Sequence, residues 1–211
     1  MSALQVRDNL YWVGALDPDL RVFDVVMYTD YGTTYNSYIL KTDEGNILFE
    51  TAKMKFFDEF IENVTEICPL DTIRYIVVDH TEPDHVGSLE KLLDYCPKAE
   101  VLASQVALNF LTEICNREIP GIAVGDGDKI SLGGETLSFM NVPFLHWPDS
   151  IYTYIESSKT LVTCDSFGCH YSDSKVFNDQ IDGKFVDAYK YYFDMIMGPF
   201  KSHVQYALGQ V

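Results

Sequence analysis

Four potential metal ligands fall within six residues, His80-Thr81-Glu82-Pro83-Asp84-His85, just behind the β-rich apolar run Ile73 to Val78. A continuous run of that kind reads as a strand buried on both faces, the pattern of a parallel sheet covered by helices. Loops at the ends of such strands are where sheets carry their functional groups. In an extended loop, side chains two residues apart point the same way, so His80, Glu82 and Asp84 are expected on one side, with Pro83 stiffening the turn. A single metal uses only two of these groups, and two metals are needed to use all of them without crowding. No thiolate is among them, which disfavours structural zinc. Imidazole mixed with carboxylate suits iron or manganese with open positions. Two more candidates follow strands elsewhere: His146 in Phe144-Leu-His-Trp-Pro-Asp-Ser and Asp165 in Thr163-Cys-Asp-Ser-Phe-Gly. A short carboxylate such as Asp165 can bridge two metals. The competing reading, a solvated turn with scattered charge, leaves this density of donors at strand ends unexplained.

The surrounding pattern is mixed. Asn36 to Thr42 and Asn46 to Thr51 flank Asp43-Glu-Gly and read as a hairpin. Phe56, Phe57, Phe60, Ile61, Val64 and Ile67 recur at helical spacing, and Pro69 follows the helix end. A helix is expected around Leu89 to Leu93, a short strand at Val101, and a helix holding Val106 to Ile114. Beyond Gly125 the pattern turns antiparallel, with strands at Lys129 to Leu132, Thr136 to Val142, Ile151 to Ile155 and Thr160 to Thr163. The last segment reads as one long amphipathic helix, with Phe185, Ala188, Tyr189, Tyr192, Ile196, Phe200 and Val204 on its apolar face and no cap before the end. Two half-sheets, each with covering helices, imply a layered α/β sandwich.

Charge narrows the function. With 15 basic and 32 acidic residues the net charge is −17, which argues against binding nucleic acid or an anionic membrane surface. It is compatible with docking to a basic electron-donor protein, or simply with solubility. No apolar run approaches the ~18 residues of a membrane helix. The segment Met1 to Asn9 lacks the layout of a signal peptide, so a cytoplasmic protein is expected. The five cysteines are odd in number and contain no Cys-x-x-Cys pair, so a disulfide framework or zinc knuckle is not expected. At 211 residues the chain is expected to form one domain, 1–211.

The His80 loop, Gly125-Asp-Gly-Asp, Leu132-Gly-Gly, Pro143 and His146 resemble the metallo-β-lactamase superfamily, whose loop reads His-x-His-x-Asp-His. Glu82 stands where that motif has its second His. His-x-Glu-x-Asp, then sixty-one residues between Asp84 and His146, then eighteen between His146 and Asp165, resembles the flavodiiron proteins. Gly32-Thr-Thr-Tyr-Asn-Ser-Tyr, Leu145-His-Trp-Pro-Asp-Ser and Lys190-Tyr-Tyr are similar to the same family, and the resemblance covers nearly the whole chain. It implies an α/β fold, the metallo-β-lactamase-like αββα four-layer sandwich. It implies one iron on His80, Glu82 and His146, and a second on Asp84, His85 and a further His, with Asp165 bridging. The activity it implies is reduction of dioxygen to water or of nitric oxide to nitrous oxide. Electrons would come from FMN in a flavodoxin-like domain or from a rubredoxin-type donor, in a head-to-tail homodimer. Tyr191 matches the family's tyrosine beside the iron pair, with ordinary helix packing as the alternative. Trp147 is a candidate flavin contact or a structural indole.

The chain departs from the family in several places. The family's last iron ligand, a His in a Ser/Gly-His-Gly turn, would lie beyond Val211, and His203 does not match that motif. No flavodoxin domain or glycine-rich FMN loop is present. The expectation is therefore either a piece of a longer flavodiiron protein or a stand-alone relative with a separate flavin partner. Asp24 stands where the family often has His, and Glu50 where it often has Asp. His170 is read as support for the iron shell or as a surface histidine, and Cys164 and Cys169 as packing residues. Two other classes stay open: a non-enzymatic oxygen-binding or sensing diiron module, and a zinc-dependent hydrolase of the metallo-β-lactamase superfamily. Imidazole in place of Glu82 would suit the hydrolase better.

Overall fold

The computed structural model describes residues 2–24, 26–183 and 185–211. Among these residues a seven-stranded sheet runs, edge to edge, Leu4–Arg7, Leu10–Trp12, Tyr38–Thr42, Gly45–Phe49, Ile73–Val78, Glu100–Ala103 and Gly121–Ala123. The first four strands pair antiparallel, and from Gly45–Phe49 onward the pairing is parallel. A second, antiparallel sheet orders Lys129–Leu132, Glu135–Asn141, Ile151–Ile155 and Thr160–Val162. The hairpin after Thr42 is closed by Gly45, whose φ of 136° a side chain would oppose.

Strand alternation sets the layers. One face of the large sheet carries Ile39, Leu48, Ile76, Val78, Val101 and Ala103, which pack with residues of the helices Phe57–Ile67, Leu89–Tyr95 and Gln105–Ile114. Its other face sends Leu40, Ile47, Phe49, Val77 and Leu102 against Leu137, Phe139, Ile151 and Ile155 of the second sheet. Tyr152, on the far side of that sheet, packs with Tyr192, Met197 and Ala207 of the C-terminal segment. The result is the expected αββα sandwich. Phe139 is 1% exposed between the sheets, and its truncation to Ala would cost ~3–5 kcal/mol.

Three expectations are corrected. The single long C-terminal helix is broken into Phe185–Tyr192, a π-turn at Phe193–Met197, a 3₁₀ turn at Gly198–Phe200, and Lys201–Leu208. Pro199 lacks an N–H and cannot continue the helical ladder. The last helix is capped at Gly209 rather than running uncapped. The loop after His80 is not extended throughout, because Pro83–Val86 forms a helical turn. Proline favours that turn, since its fixed φ suits the first helical position.

The strand ends converge. Ile73–Val78 leads to Asp79 and His80, Gly45–Phe49 to Glu50, Glu135–Asn141 to His146, and Thr160–Val162 to Asp165. The Ile151 N–H donates to the Asp79 carbonyl at 3.0 Å, tying the second sheet to the central strand at that end.

Candidate metal centre

His80, Glu82, His146 and Asp165 each offer a ligand atom within 4.8 Å of all the others. Glu82 Oε2 lies 3.0 Å from His146 Nε2 and 3.3 Å from His80 Nε2. Asp165 Oδ2 lies 3.3 Å from His146 Nε2 and 3.7 Å from His80 Nε2. The other oxygen, Oδ1, faces a second group and sits 2.8 Å from His85 Nε2. Asp84 Oδ1 is 3.8 Å from the same nitrogen. The helical turn at Pro83 produces this division: His80 and Glu82 share one centre, while Asp84, expected beside them, turns to the other with His85.

Carboxylates behind the imidazoles aim them. Asp149 Oδ2 lies 3.3 Å from His80 Nδ1 and accepts from the Thr81 N–H and hydroxyl at 2.8 and 2.9 Å. Glu50 Oε2 lies 3.4 Å from His85 Nδ1, and its Oε1 accepts from the Asp79 N–H at 2.6 Å. In both histidines Nδ1 is engaged and Nε2 faces the site, the arrangement that orients metal-bound histidines. Asp24, Glu50, Phe144, Cys164 and Phe167 all hold positive φ, between 41° and 67°. Left-handed backbone at non-glycine residues is costly and collects at functional sites.

The electrostatics call for cations. Six carboxylates (Glu50, Asp79, Glu82, Asp84, Asp149, Asp165) stand around three imidazoles. Burial favours the neutral forms of His80, His85, His146, Asp84 and Asp165, but ion pairing overrides it at several. Burial opposes charging His80 and His146, yet Asp149 and Glu82, and Asp165 and Glu82, raise them to about 9. His85 is raised well above its ordinary value against burial, by Asp84 and Asp165. Burial works to raise Asp165, but His85 and His146 hold it well below the usual range. Asp84, less well compensated, is pushed up to about 6 by burial. Asp79, buried beside Glu50, is raised well above its ordinary value. Asp84 Oδ1 and Asp165 Oδ2 are buried and lack a well-formed hydrogen bond. Buried anions of this kind require compensation. The donor set, imidazole and carboxylate without thiolate, fits a pair of oxygen- and nitrogen-preferring divalent ions.

Asp84, His85 and Asp165 open on a cavity of about 240 Å³ that Thr33, His170 and Tyr192 also line. Tyr191, the tyrosine singled out from the sequence, is 38% exposed and lines a different cavity beside Tyr28 and Tyr31. Tyr192 is the one that is buried and faces the site. The apolar helical stripe Tyr189–Tyr192–Ile196 carried this signal, because a residue three positions on returns to the same face. Trp147 stands edge-on to His80, ring centres 5.1 Å apart. His203 lies away from the ligands, against Phe144 and Phe200. Asp24 hydrogen-bonds Glu82, which together with partial burial raises it to about 7. Asp149 was missed in the sequence reading, although it sits in the quoted phrase His-Trp-Pro-Asp-Ser.

The family model described as ODP family beta lactamase matches residues 33–208. The chain belongs to this family. A flavo-diiron protein of Clostridium acetobutylicum is 40% identical over 97% of the chain and 52% of its own length. A nitric oxide reductase of Moorella thermoacetica is 35% identical over 98% of the chain and 52% of its own length. The solved rubredoxin oxygen:oxidoreductase of Desulfovibrio gigas superposes with a TM-score of 0.95 at 29% identity, over 99% of the chain and 52% of its own length. The expected kinship with flavodiiron proteins and the expected fold both hold. This ODP-family chain spans about half the length of these relatives. Among its described residues no helix is long and apolar enough to cross a membrane.

Proposed function

We propose that residues 1–211 act as the diiron domain of an oxidoreductase that reduces dioxygen to water, nitric oxide to nitrous oxide, or both. The observation that carries this reading is the division of labour at Asp165, one oxygen turned to His80 and His146, the other to His85. A carboxylate so shared suits two ions. His80, Glu82 and His146 would hold one iron, Asp84 and His85 the other. When bound, the iron pair would supply electrons for reducing the diatomic, with FMN of a flavodoxin-like domain or a separate chain as their source.

The chain's own residues supply position and protons. Asp149 and Glu50 keep Nε2 of His80 and His85 directed at the ions. The Tyr192 hydroxyl, pushed well above its ordinary pKa by burial and the neighbouring carboxylates, stays protonated and able to donate into the cavity. Asp24 holds a proton against Glu82 near neutral pH. Trp147 and the exposed Phe144 form a surface suited to a flavin brought by the partner of a head-to-tail homodimer. A rubredoxin-type donor would serve the flavin. Five free thiols fit a reducing, cytoplasmic setting.

The test is metal content after anaerobic purification with both iron and zinc supplied, followed by dioxygen and nitric oxide consumption with a reduced flavoprotein. Iron at close to two ions per chain with turnover supports the proposal. Zinc in preference to iron, with thioester hydrolysis, would replace it with the hydrolase reading. Stable oxygen binding without turnover, even with a competent donor, would favour a sensing module.

A further inference from the structure

His170 is the one histidine near the site that pairs with no carboxylate. Its Nδ1 lies 3.0 Å from the Thr33 hydroxyl. Its Nε2 is buried and has no hydrogen-bond partner among the described residues. The ring is packed between Phe23, at 4.3 Å, and the edge of Tyr192, at 5.2 Å. The ring stands between two cavities, lining both the one onto which Asp84, His85 and Asp165 open and the one beside Tyr28 and Tyr191. Its backbone is also pinned, since Thr34 Oγ1–H donates to the Tyr171 carbonyl at 2.7 Å and the Ser172 N–H to the Tyr31 carbonyl at 3.0 Å. Residues 31–34 therefore clamp residues 170–172 at three consecutive points, which gives a role to the phrase Gly32-Thr-Thr-Tyr.

A buried polar nitrogen left unpaired costs about 1–3 kcal/mol, and native proteins seldom carry that cost without a water, ion or ligand to relieve it. Two steps give the tautomer. The Thr33 hydroxyl proton has no other acceptor among the described residues, so it is satisfied by donating to Nδ1. With Nδ1 accepting, a neutral ring carries its one proton on Nε2. Burial pushes the imidazole down to about 4, so the ring is neutral at physiological pH.

We propose that His170, with its tautomer set by Thr33, donates an Nε2–H hydrogen bond to the small oxygen- or nitrogen-ended molecule that enters the cavity beside Asp84, His85 and Asp165. This rests on the diiron reading above. His170 is then a substrate-orienting group on the wall of that cavity.

The test combines nitrogen-15 NMR of the metal-free chain with infrared spectra of the iron-loaded chain under nitric oxide. The expected result is a neutral Nε2–H imidazole for His170, with the tautomer preference lost in Thr33→Val. In the iron-loaded protein the N–O stretch shifts in His170→Phe. Azide, used as a second probe, binds about five- to tenfold more weakly to that variant, the size of one hydrogen bond. His170→Gln, which keeps a donor, recovers much of the loss. An Nδ1–H tautomer in the parent chain, or an N–O stretch unchanged in both His170→Phe and Thr33→Val, would overturn the assignment. Failure of the parent chain to take up iron would instead sink the diiron reading, and the tautomer of the metal-free chain would still decide the assignment of His170.

Discussion

The two halves of the candidate metal centre are built differently. The half formed by His80, Glu82 and His146 draws on two segments, one from each sheet. Its donor atoms crowd within 4.8 Å together with Asp165, and His80 and Glu82 are buried. The half formed by Asp84 and His85 comes from one helical turn. It borrows Asp165 and opens on the 240 Å³ cavity. The difference teaches where each role falls. A closed set of donors holds an ion firmly, and a half with fewer donors and an open side leaves room for a diatomic.

Asp165 is the hinge of this comparison, so its removal is expected to have the largest effect. Asp165→Ala should weaken metal binding at both halves by at least about a hundredfold, read as metal retained after dialysis. Loss at one half alone would show that the carboxylate is not shared. The next test separates the halves. Glu82→Ala should empty the closed half and His85→Ala the open one, each leaving about one ion per chain, distinguishable by Mössbauer spectra. Asp149→Asn probes the support behind His80 and should cost 10–100-fold in affinity at the closed half only. Glu50→Gln should do the same behind His85.

Acidity sharpens the comparison further. His80 and His146 must lose protons held up to about 9 before they ligate. Metal affinity of the closed half should therefore rise steeply with pH between 7 and 9 in competition titrations. Stability of the metal-free chain moves the other way. Groups raised above their unfolded value near 6.5 stabilise fully below it, and lose that contribution as pH rises through about 9. Their partners Glu82 and Asp165 are depressed, so the same pairs are also lost as pH falls below about 4. Thermal midpoints of the metal-free chain should peak between these limits and fall by pH 9. A midpoint that climbs toward pH 9 would contradict the ion pairing described here. The smallest expected effect is at the tyrosines. Tyr192→Phe should slow turnover several-fold with little change in fold, whereas Tyr191→Phe should match the parent.

Much of this was legible in residue order. The run Ile73–Val78 is a strand because its β-branched residues suit a sheet covered on both faces. The candidate ligands His80, Glu82, Asp84, His85, His146 and Asp165 stand out by type and by position after strands. Helical phase even favoured Tyr192 over Tyr191. Other features were not legible. Asp84 parts from His80 because Pro83 opens a helical turn, and a two-residue alternation argument assumes extended chain. The C-terminal helix gives way to a π-turn and a 3₁₀ turn over Phe193–Phe200, ahead of and across Pro199, while its apolar spacing continues past the break.

The sequence by itself determined which chemical groups are available, since ligand type and strand or helix period are local properties of neighbouring residues. Only the tertiary structure decided which groups meet. Asp149 reaches His80 across 69 positions, and Asp165 reaches His85 across 80. Such pairings arise when two sheets pack face to face and bring their strand ends together, and no local pattern encodes that distance.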